Sequence, residues 1–223
     1  MEVLTGEIYD WTEDGRPLIV GSSVNIDIAI RRKYKTVSIV VDDGRRITQE
    51  QRAKIYVLMK FISDYSGDTI EGTKRMLKMS FVLKHWQRIE FKMFSLSDCS
   101  ITTAREFISD IIDFIIENNV PCDEPLWKLA DDSGRYIYSC LMRKVCCLCG
   151  KPAELHHVNA IGMGNDRTKI NHLGRECLPL CREHHTVIHS IGKSSFCEMY
   201  HLLPVKIDKE IARKYKLNIK KKG

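Results

Sequence analysis

The chain has 223 residues, of which 43% are hydrophobic and 29% are charged, a composition typical of a globular protein rather than a disordered or fibrous one. Its sequence contains no apolar run of the roughly 18 residues that a membrane-spanning helix needs. The N-terminal stretch MEVLTGEIYDWTEDG carries acidic residues where a signal peptide has basic and apolar ones. We therefore expect a cytoplasmic protein that does not enter the membrane, with its nine cysteines present as reduced thiols or metal ligands.

The positive charge lies in the second half of the chain. Residues 1–120 contain 17 Lys and Arg against 18 Asp and Glu, a net charge of −1, whereas residues 121–223 contain 18 against 11, a net charge of +7. A basic half that ends in KIDKEIARKYKLNIKKKG favours a phosphate-rich partner such as nucleic acid. The alternative for this last stretch is a solvated lysine tail.

Strands followed by a helix are predicted at the start of the chain. GEIYDW and RPLIVG flank an acidic turn, and KTVSIVVDDGR predicts a further strand. ITQEQRAKIYVLMKFISDYSG predicts a helix with Thr48 as its N-cap, Gln51 completing a capping box and Gly67 ending it. Its apolar face is expected to carry Ile55, Leu58, Met59 and Ile62.

Helix and strand alternate in the next 50 residues. TIEGTKRMLKMSFVL predicts a helix, FKMFSL a short strand, and TTAREFISDIIDFIIENN a long helix whose capping box pairs Thr103 with Glu106. Apolar residues recur at helical spacing in the long helix, and we expect them in the core: Phe107, Ile108, Ile111, Ile112 and Ile115.

The stretch VPCDEP, residues 120–125, is the predicted domain boundary, because its prolines and acidic residues interrupt the helical pattern. We expect an N-terminal domain over residues 1–120 and a linker with a connecting helix over residues 121–142. The stretch GRYIYSCLMRKV, residues 134–145, predicts this helix and leads directly into CCLCG. A second domain, with a basic C-terminal tail, is expected over residues 143–223.

Two short motifs in the second domain have the spacing of zinc ligands. Cys146 and Cys149 form a C-x-x-C pair, and Cys181 and His184 form a C-x-x-H pair. Structural zinc sites are commonly closed by two such pairs separated by a loop, so we expect these four residues to bind zinc. Cys147 is an alternative to Cys146, with a tighter spacing to Cys149. The other cysteines lack a paired motif and are expected to be core thiols: Cys99, Cys122, Cys140, Cys177 and Cys197.

Four further histidines surround these pairs and suggest a second cation. His185 and His189 are four residues apart, so they share one face of the helix that CREHHTVIH is expected to begin, while His184 points about 100° away. If LHHV is a strand, its residues His156 and His157 point to opposite faces. One of them can then bind a metal while the other faces a substrate water.

The order C-x-x-C, HH, LC-x-x-HH and H over residues 143–195 resembles the HNH, or ββα-metal, nucleases. The ending HH-x₃-H-x-x-G, residues 184–192, resembles phage and prophage proteins described as HNH nucleases. This resemblance implies that His156, His185 and His189 bind a catalytic divalent ion, Mg²⁺, Mn²⁺ or another, beside the structural Zn²⁺. It also implies that His157 is the general base for a water that attacks the phosphorus of DNA.

The middle residue of the motif is not fixed by the sequence. Many zinc-containing members have Asn five residues before the second knuckle cysteine, where this chain has Glu176, so the role falls to Asn171 or His172 or is lost. Basic residues around the motif are candidates for binding flanking phosphates: Arg167, Lys169, Arg175, Arg182 and Lys193.

Residues 35–120 resemble, in pattern more than in motif, the NinB or Orf recombination proteins of lambdoid phages. The expected fold is therefore α+β, with an N-terminal α+β NinB/Orf-like domain followed by a small zinc-stabilised ββα-metal domain. The implied function is cleavage of single-stranded or branched DNA in phage recombination or replication, by a homodimer that works with a single-stranded-DNA-binding protein or a recombinase. The alternatives are a non-catalytic, zinc-containing recombination mediator, and an enzyme that cleaves RNA.

Overall fold

The computed structural model describes residues 6–21, 44–85, 93–158 and 170–219. These residues form two compact units. The first unit contains an N-terminal hairpin and the end of the second helix, and the second unit contains residues 45–78 and the described residues from 94 onwards. The predicted strand at KTVSIVVDDGR lies almost entirely outside the described residues.

The N-terminal hairpin confirms the two predicted strands. Strand β1 (Gly6–Trp11) pairs antiparallel with β2 (Pro17–Gly21), with Trp11 opposite Pro17. The turn between them places Gly15 at φ 78°, a left-handed conformation that glycine adopts without steric cost.

Helix α1 (Gln49–Ser66) begins and ends where its sequence predicts. The Thr48 hydroxyl accepts a hydrogen bond from the Gln51 backbone N–H at 3.0 Å, and the Gln51 side chain accepts one from the Thr48 N–H at 3.2 Å. Gly67 follows with φ 73°. The four predicted core residues of this helix, Ile55, Leu58, Met59 and Ile62, are all buried. Helix α2 (Ile70–His85) follows, as predicted.

Two predictions for the following region are wrong. Over the described part of FKMFSL, residues 93–96, the chain is irregular and leads into a turn rather than forming a strand, and the first two residues of that stretch lie outside the described residues. The long helix α3 (Ile101–Asn118) is capped by Ser100, whose hydroxyl accepts from the Thr103 N–H at 3.0 Å, and not by Thr103 itself. A tertiary contact moves the start, because the Ile101 N–H donates to the Arg45 carbonyl at 3.1 Å. The five predicted core residues, Phe107, Ile108, Ile111, Ile112 and Ile115, are buried.

The second unit is a series of helices that packs against a small sheet. Helix α3 packs on α1 and on α5 (Ser133–Arg143), and a short helix α4 (Leu126–Leu129) lies between α3 and α5 in the chain. Helix α5 also contacts strands β4 (Glu176–Leu180) and β5 (Val205–Lys206) and helix α8 (Lys209–Lys214), so it joins the helices to the sheet. All of helix α5 except its last residue, Arg143, lies in residues 121–142, which were predicted to be the linker and connecting helix. The predicted domain boundaries stay a prediction.

The remaining elements lie around the predicted metal motifs. Strands β3 (Glu154–His157), β4 (Glu176–Leu180) and β5 (Val205–Lys206) form an antiparallel sheet in the order β3-β4-β5. Helices α6 (Arg182–Ile191) and α7 (Lys193–Met199) follow β4, and α8 (Lys209–Lys214) follows β5. This is a mixed α+β architecture. Among the described helices, none is both long and apolar enough to cross a membrane.

Candidate metal centres

A ββα unit brings the two predicted metal motifs together. Strand β3 pairs with β4 so that His157 lies opposite Cys177, and the chain then turns directly from β4 into α6. Cys181 is the N-cap of α6, and its carbonyl accepts from the His185 N–H at 2.8 Å. Helix α6 packs against β4, which places its histidines beside those of β3.

The four predicted zinc ligands converge on one point. Ligand atoms of Cys146, Cys149, Cys181 and His184 all lie within 4.8 Å of one another. The Cys149 and Cys181 sulfurs are 3.7 Å apart, and the His184 Nδ1 lies 3.2 to 3.6 Å from the three sulfurs. A tetrahedral zinc ion separates two thiolates by about 3.8 Å, and a thiolate from an imidazole nitrogen by about 3.6 Å. The donor set therefore fits zinc in both chemistry and spacing.

The loop before β3 is shaped to present its two cysteines. The Cys146 N–H donates to the Lys151 carbonyl at 2.7 Å, and the Gly150 N–H donates back to the Cys146 carbonyl at 2.9 Å. This turn requires φ 68° at Gly150, which explains a glycine directly after the C-x-x-C pair. Cys147 is buried outside the cluster and its backbone N–H donates to Pro179 at 3.1 Å, so Cys146 is the cysteine that joins the cluster.

The protonation of this cluster without metal differs from one cysteine to the next. Burial of its sulfur and the neighbouring thiols raise the pKa of Cys149 to about 12. The pKa of Cys181 is lowered: burial opposes the shift, but the His184 and Glu183 N–H groups of the first turn of α6 and the nearby thiols outweigh it. Burial also lowers the pKa of His184. A metal that binds here must therefore displace a proton from Cys149 near neutral pH.

The remaining cysteines lie outside this cluster. Cys99, Cys140 and Cys177 are buried, as expected for core thiols, whereas Cys122 and Cys197 are only half-buried. Burial raises the pKa of each of these thiols, which keeps them protonated near neutral pH.

A second cluster consists of His156, His185 and His189. The ligand nitrogens of the three rings lie within 4.8 Å of one another, and the ring centroids are 4.6 to 5.1 Å apart. His156 is buried, His185 is half-buried and His189 is exposed, so the cluster opens to solvent at one side. Catalytic metal sites keep such an open position, whereas structural zinc sites are closed by four protein ligands.

Burial and the neighbouring histidines keep His156 neutral. They lower the pKa of His156 to about 4, with burial the larger cause and the charges on His185 and His189 the next. A neutral imidazole has a lone pair available for a metal ion, so the cluster needs little proton displacement from this ring near neutral pH.

His157 points to the other face of β3 and contacts His172. The His157 Nε2 lies 2.9 Å from the His172 Nδ1, and the ring centroids are 4.9 Å apart. His172 is buried, with 4% of its surface exposed. Of the two candidates for the middle residue, His172 is therefore the one that contacts His157, because the Asn171 side chain instead accepts from the Leu173 N–H at 3.1 Å.

The C-terminal segment holds His172 in place, which the sequence did not predict. The His172 N–H donates to the Asn218 carbonyl at 3.2 Å. In the same loop the Gly174 N–H donates to the Ile207 carbonyl, and the Ile207 N–H donates to the Arg175 carbonyl, both at 2.8 Å. Ile207 and Ile211 are buried, so much of the stretch expected to be a basic tail is folded: Lys206 ends strand β5, and helix α8 packs on α5. The alternation of Ile and Leu with Lys in this stretch is the sequence pattern that could have predicted that it is folded.

The predicted phosphate-binding residues have varied surroundings. Arg182 is exposed, whereas the Arg175 Nε donates to the Asn171 carbonyl at 3.2 Å. Lys193 forms an ion pair with Glu176 at 3.1 Å. Arg167 and Lys169 lie outside the described residues.

A ββα unit with a closed Cys₃His cluster, an open histidine cluster and a further histidine pair defines a candidate nuclease of the ββα-metal class. The family model described as "Putative HNHc nuclease" matches residues 22–218, or 197 of the 223 residues, and the chain belongs to this HNH nuclease family. We found no match to a curated protein and none to a solved structure. Membership of the family supports a nuclease-type function and the use of divalent metal ions.

Proposed function

We propose that the protein is a metal-dependent endonuclease of the HNH type that hydrolyses phosphodiester bonds in single-stranded or branched DNA. The observation that carries this proposal is the His157–His172 contact on one face of β3, directly beside the solvent-open histidine cluster on the other. A purely structural zinc domain needs the four residues of the closed cluster and has no use for this second set of imidazoles.

In this proposal His157 is the general base. A base must offer a lone pair, and with Nε2 directed at His172 the lone pair has to lie on Nδ1. The productive tautomer therefore has its proton on Nε2, donated to the His172 Nδ1 at 2.9 Å. His172 is a positioning residue, because it fixes both the ring orientation and the tautomer of His157.

The reaction breaks one P–O bond, forms another and moves two protons. His157 Nδ1 takes a proton from a water molecule as the water oxygen attacks phosphorus, and the 3′ oxygen leaves and takes a proton from a solvent water. The products are a 5′ phosphate end and a 3′ hydroxyl end. A divalent ion held by His156, His185 and His189 would stabilise the negative charge that develops on the phosphate.

The donor set of the second cluster favours some ions over others. Imidazole nitrogens suit Zn²⁺, Ni²⁺ and other transition metals, whereas Mg²⁺ prefers carboxylate and water oxygens. Among the described residues the cluster offers three nitrogens. We therefore propose Ni²⁺ as a better activator than Mg²⁺, with Mn²⁺ between them and zinc in the closed cluster.

The cellular setting is proposed from sequence resemblance alone. It comprises DNA recombination or replication in a phage-infected bacterial cytoplasm, a homodimer, and a single-stranded-DNA-binding protein or a recombinase as partner. The NinB-like character of residues 35–120 likewise stays a prediction.

A cleavage assay on a panel of substrates tests the proposed activity. Labelled single-stranded, duplex, flap and four-way DNA, and an RNA strand of matched sequence, are incubated with Mg²⁺, Mn²⁺ or Ni²⁺. We expect the single-stranded or branched DNA to be cut to 5′ phosphate ends, and His157→Asn to slow single-turnover cleavage by about 10²–10⁴-fold. The matched control is His201→Asn, at an exposed histidine outside both clusters, and it should cut at the wild-type rate.

The other results separate the alternatives. Tight DNA binding without cleavage in any metal would favour a non-catalytic recombination mediator. Cleavage confined to the RNA strand would assign the protein to the RNA-cleaving alternative. Equal cleavage by His157→Asn and His201→Asn would remove His157 from the role of base.

A further inference from the structure

A basic pocket lies on the helical part of the second unit, on elements that contribute no residue to either metal cluster. It is a cavity of about 370 Å³ between α1, α2 and the segment that precedes α3. Its polar lining consists of Arg52, Tyr56, Lys74, Lys78, Ser95 and Ser97. Three cationic groups and three hydroxyl groups therefore face one space.

Arg52 fixes the shape of this pocket. Its Nε donates to the Leu96 carbonyl at 2.9 Å, and one terminal nitrogen donates to the Ser97 carbonyl at 2.8 Å. These bonds hold the 95–97 segment against α1 and use two of the five N–H donors of the guanidinium. The hydroxyls of Ser95 and Ser97 are 2.7 Å apart and lie on the same segment.

The two lysines are close together and only partly balanced by acids. Lys74 Nζ lies 3.2 Å from the Tyr56 hydroxyl and 3.3 Å from Glu71, a carboxylate that is mostly exposed. Lys78 Nζ lies over the Phe94 ring, 5.0 Å from its centroid. Burial, and then the charge of Lys74, lower the pKa of Lys78. An anion in the pocket would relieve this repulsion between the lysines.

Tyr56 indicates which kind of anion fits. It is 37% exposed, and Lys74 Nζ lies 5.5 Å from its ring centroid. Proteins that bind single strands combine basic residues along the backbone with exposed aromatic rings on which bases stack. Flexible lysines also follow a strand whose phosphates shift in position, whereas a single phosphate is better held by fixed donors.

We propose that this pocket binds a phosphate of a single-stranded nucleic acid, and so holds the strand at a point apart from the residues that cut it. The inference rests on the proposed function and extends it, because it names a second site, apart from the nuclease site, that binds the substrate strand. It does not depend on cleavage, since binding is measured with the reaction stopped.

The test uses the full chain carrying His157→Ala and a fluorescent oligothymidine of 12 nucleotides. Fluorescence anisotropy gives the Kd across salt concentrations for Lys74→Gln, Lys78→Gln and the matched control Arg75→Gln. Arg75 is exposed, lies next to Lys74 on the same helix and does not line the pocket. Arg75→Gln therefore removes one positive charge, as each lysine change does, without changing the pocket. We expect each lysine change to weaken binding about three- to fivefold. The logarithm of the association constant falls linearly with the logarithm of the salt concentration, and each lysine change should make this slope less steep by about 0.7.

A second measurement distinguishes a strand from a free phosphate. Binding of inorganic phosphate to the same variants is followed by phosphorus NMR, with circular dichroism to show that each variant is folded. Saturable phosphate binding that is lost in Lys78→Gln, with an unchanged oligonucleotide Kd, would assign the pocket to a free phosphate or nucleotide and overturn the proposal.

Two results keep this inference separate from the proposed function. Equal oligonucleotide affinity in Lys74→Gln, Lys78→Gln and Arg75→Gln would overturn the pocket assignment, even if the wild type cuts DNA. Conversely, weakened binding in both lysine variants would support it even if the wild type cuts nothing.

Discussion

Replacement of Cys149 by serine should remove zinc from the closed cluster and destabilise the second unit. Cys149 is the exposed member of the cluster, so the change leaves no cavity in the core. Any decrease in the stability of Cys149→Ser therefore comes from the loss of metal binding alone. By contrast, Cys146→Ser would also bury a hydroxyl group, since Cys146 is only 1% exposed.

The expected size of the effect follows from the four-ligand geometry. A structural zinc site contributes about 10–16 kcal/mol of binding energy that is realised on folding. If four ligands share it equally, one thiolate accounts for about 2.5–4 kcal/mol. Spacings of 3.2 to 3.7 Å between ligand atoms lie near those of a zinc tetrahedron, so the site needs little rearrangement and the full effect is expected. This is a large fraction of the stability of an ordinary domain.

The assay combines zinc content with urea denaturation. Wild-type protein should hold about one zinc per chain that resists a mild chelator, and Cys149→Ser should lose it. Fluorescence is a useful probe because Tyr200 contacts both the His184 ring, at 6.4 Å, and the Trp127 ring, at 5.7 Å. Cys122→Ser is the matched control, at a half-buried thiol outside the cluster. Zinc content and stability equal to those of Cys122→Ser would refute the assigned ligand set.

Three further predictions concern the histidine cluster and the helices. Because the pKa of His156 is about 4 against an ordinary value of 6.5, the unfolded chain binds more protons between these values and stability falls as pH falls through them. Urea denaturation should show wild type losing about 1–2 kcal/mol more than His156→Gln between pH 7 and 4, allowing for solvent screening. Ser100→Ala removes the α3 cap and should lower the free energy of unfolding by about 1 kcal/mol in the same assay. Thr103→Ala should lower it by less, because Thr103 is not the N-cap. Arg135→Ala leaves the largely buried carboxylates of Asp110 and Asp113 without their common cation and should cost about 3 kcal/mol, and an unchanged denaturation midpoint would contradict this.

Local patterns predicted the elements that depend on neighbouring residues. Thr48, Gln51 and Gly67 specify both ends of α1, because a capping box and a left-handed glycine act over three or four residues. The cysteine and histidine spacings likewise predicted which residues cluster, because each C-x-x-C or C-x-x-H pair keeps its two side chains close in the chain.

The features that the sequence did not predict depend on contacts between residues that are far apart in the chain. Helix α3 starts at Ile101 because its N–H bonds to Arg45, a residue more than 50 positions earlier. Which of Asn171 and His172 contacts His157 depends on the loop that carries them, and the Asn218 carbonyl accepts the His172 N–H in this loop from the far end of the chain. A count of lysines suggested a solvated tail, but Ile207 and Ile211 of that segment are buried and its helix α8 packs on α5.

Single-turnover cleavage by His156→Ala and His157→Ala across metal concentration tests the central claim most directly. In the proposed mechanism His157→Ala removes the base and leaves the three histidines of the second cluster, so its rate should fall by about 10²–10⁴-fold and stay low at every metal concentration. His156→Ala removes one ligand, so its rate should recover in part as Mn²⁺ is raised. Both variants should keep their zinc, because the closed cluster does not include either residue. Wild-type rates in His157→Ala, or metal rescue of His157→Ala instead of His156→Ala, would contradict the division of roles across β3.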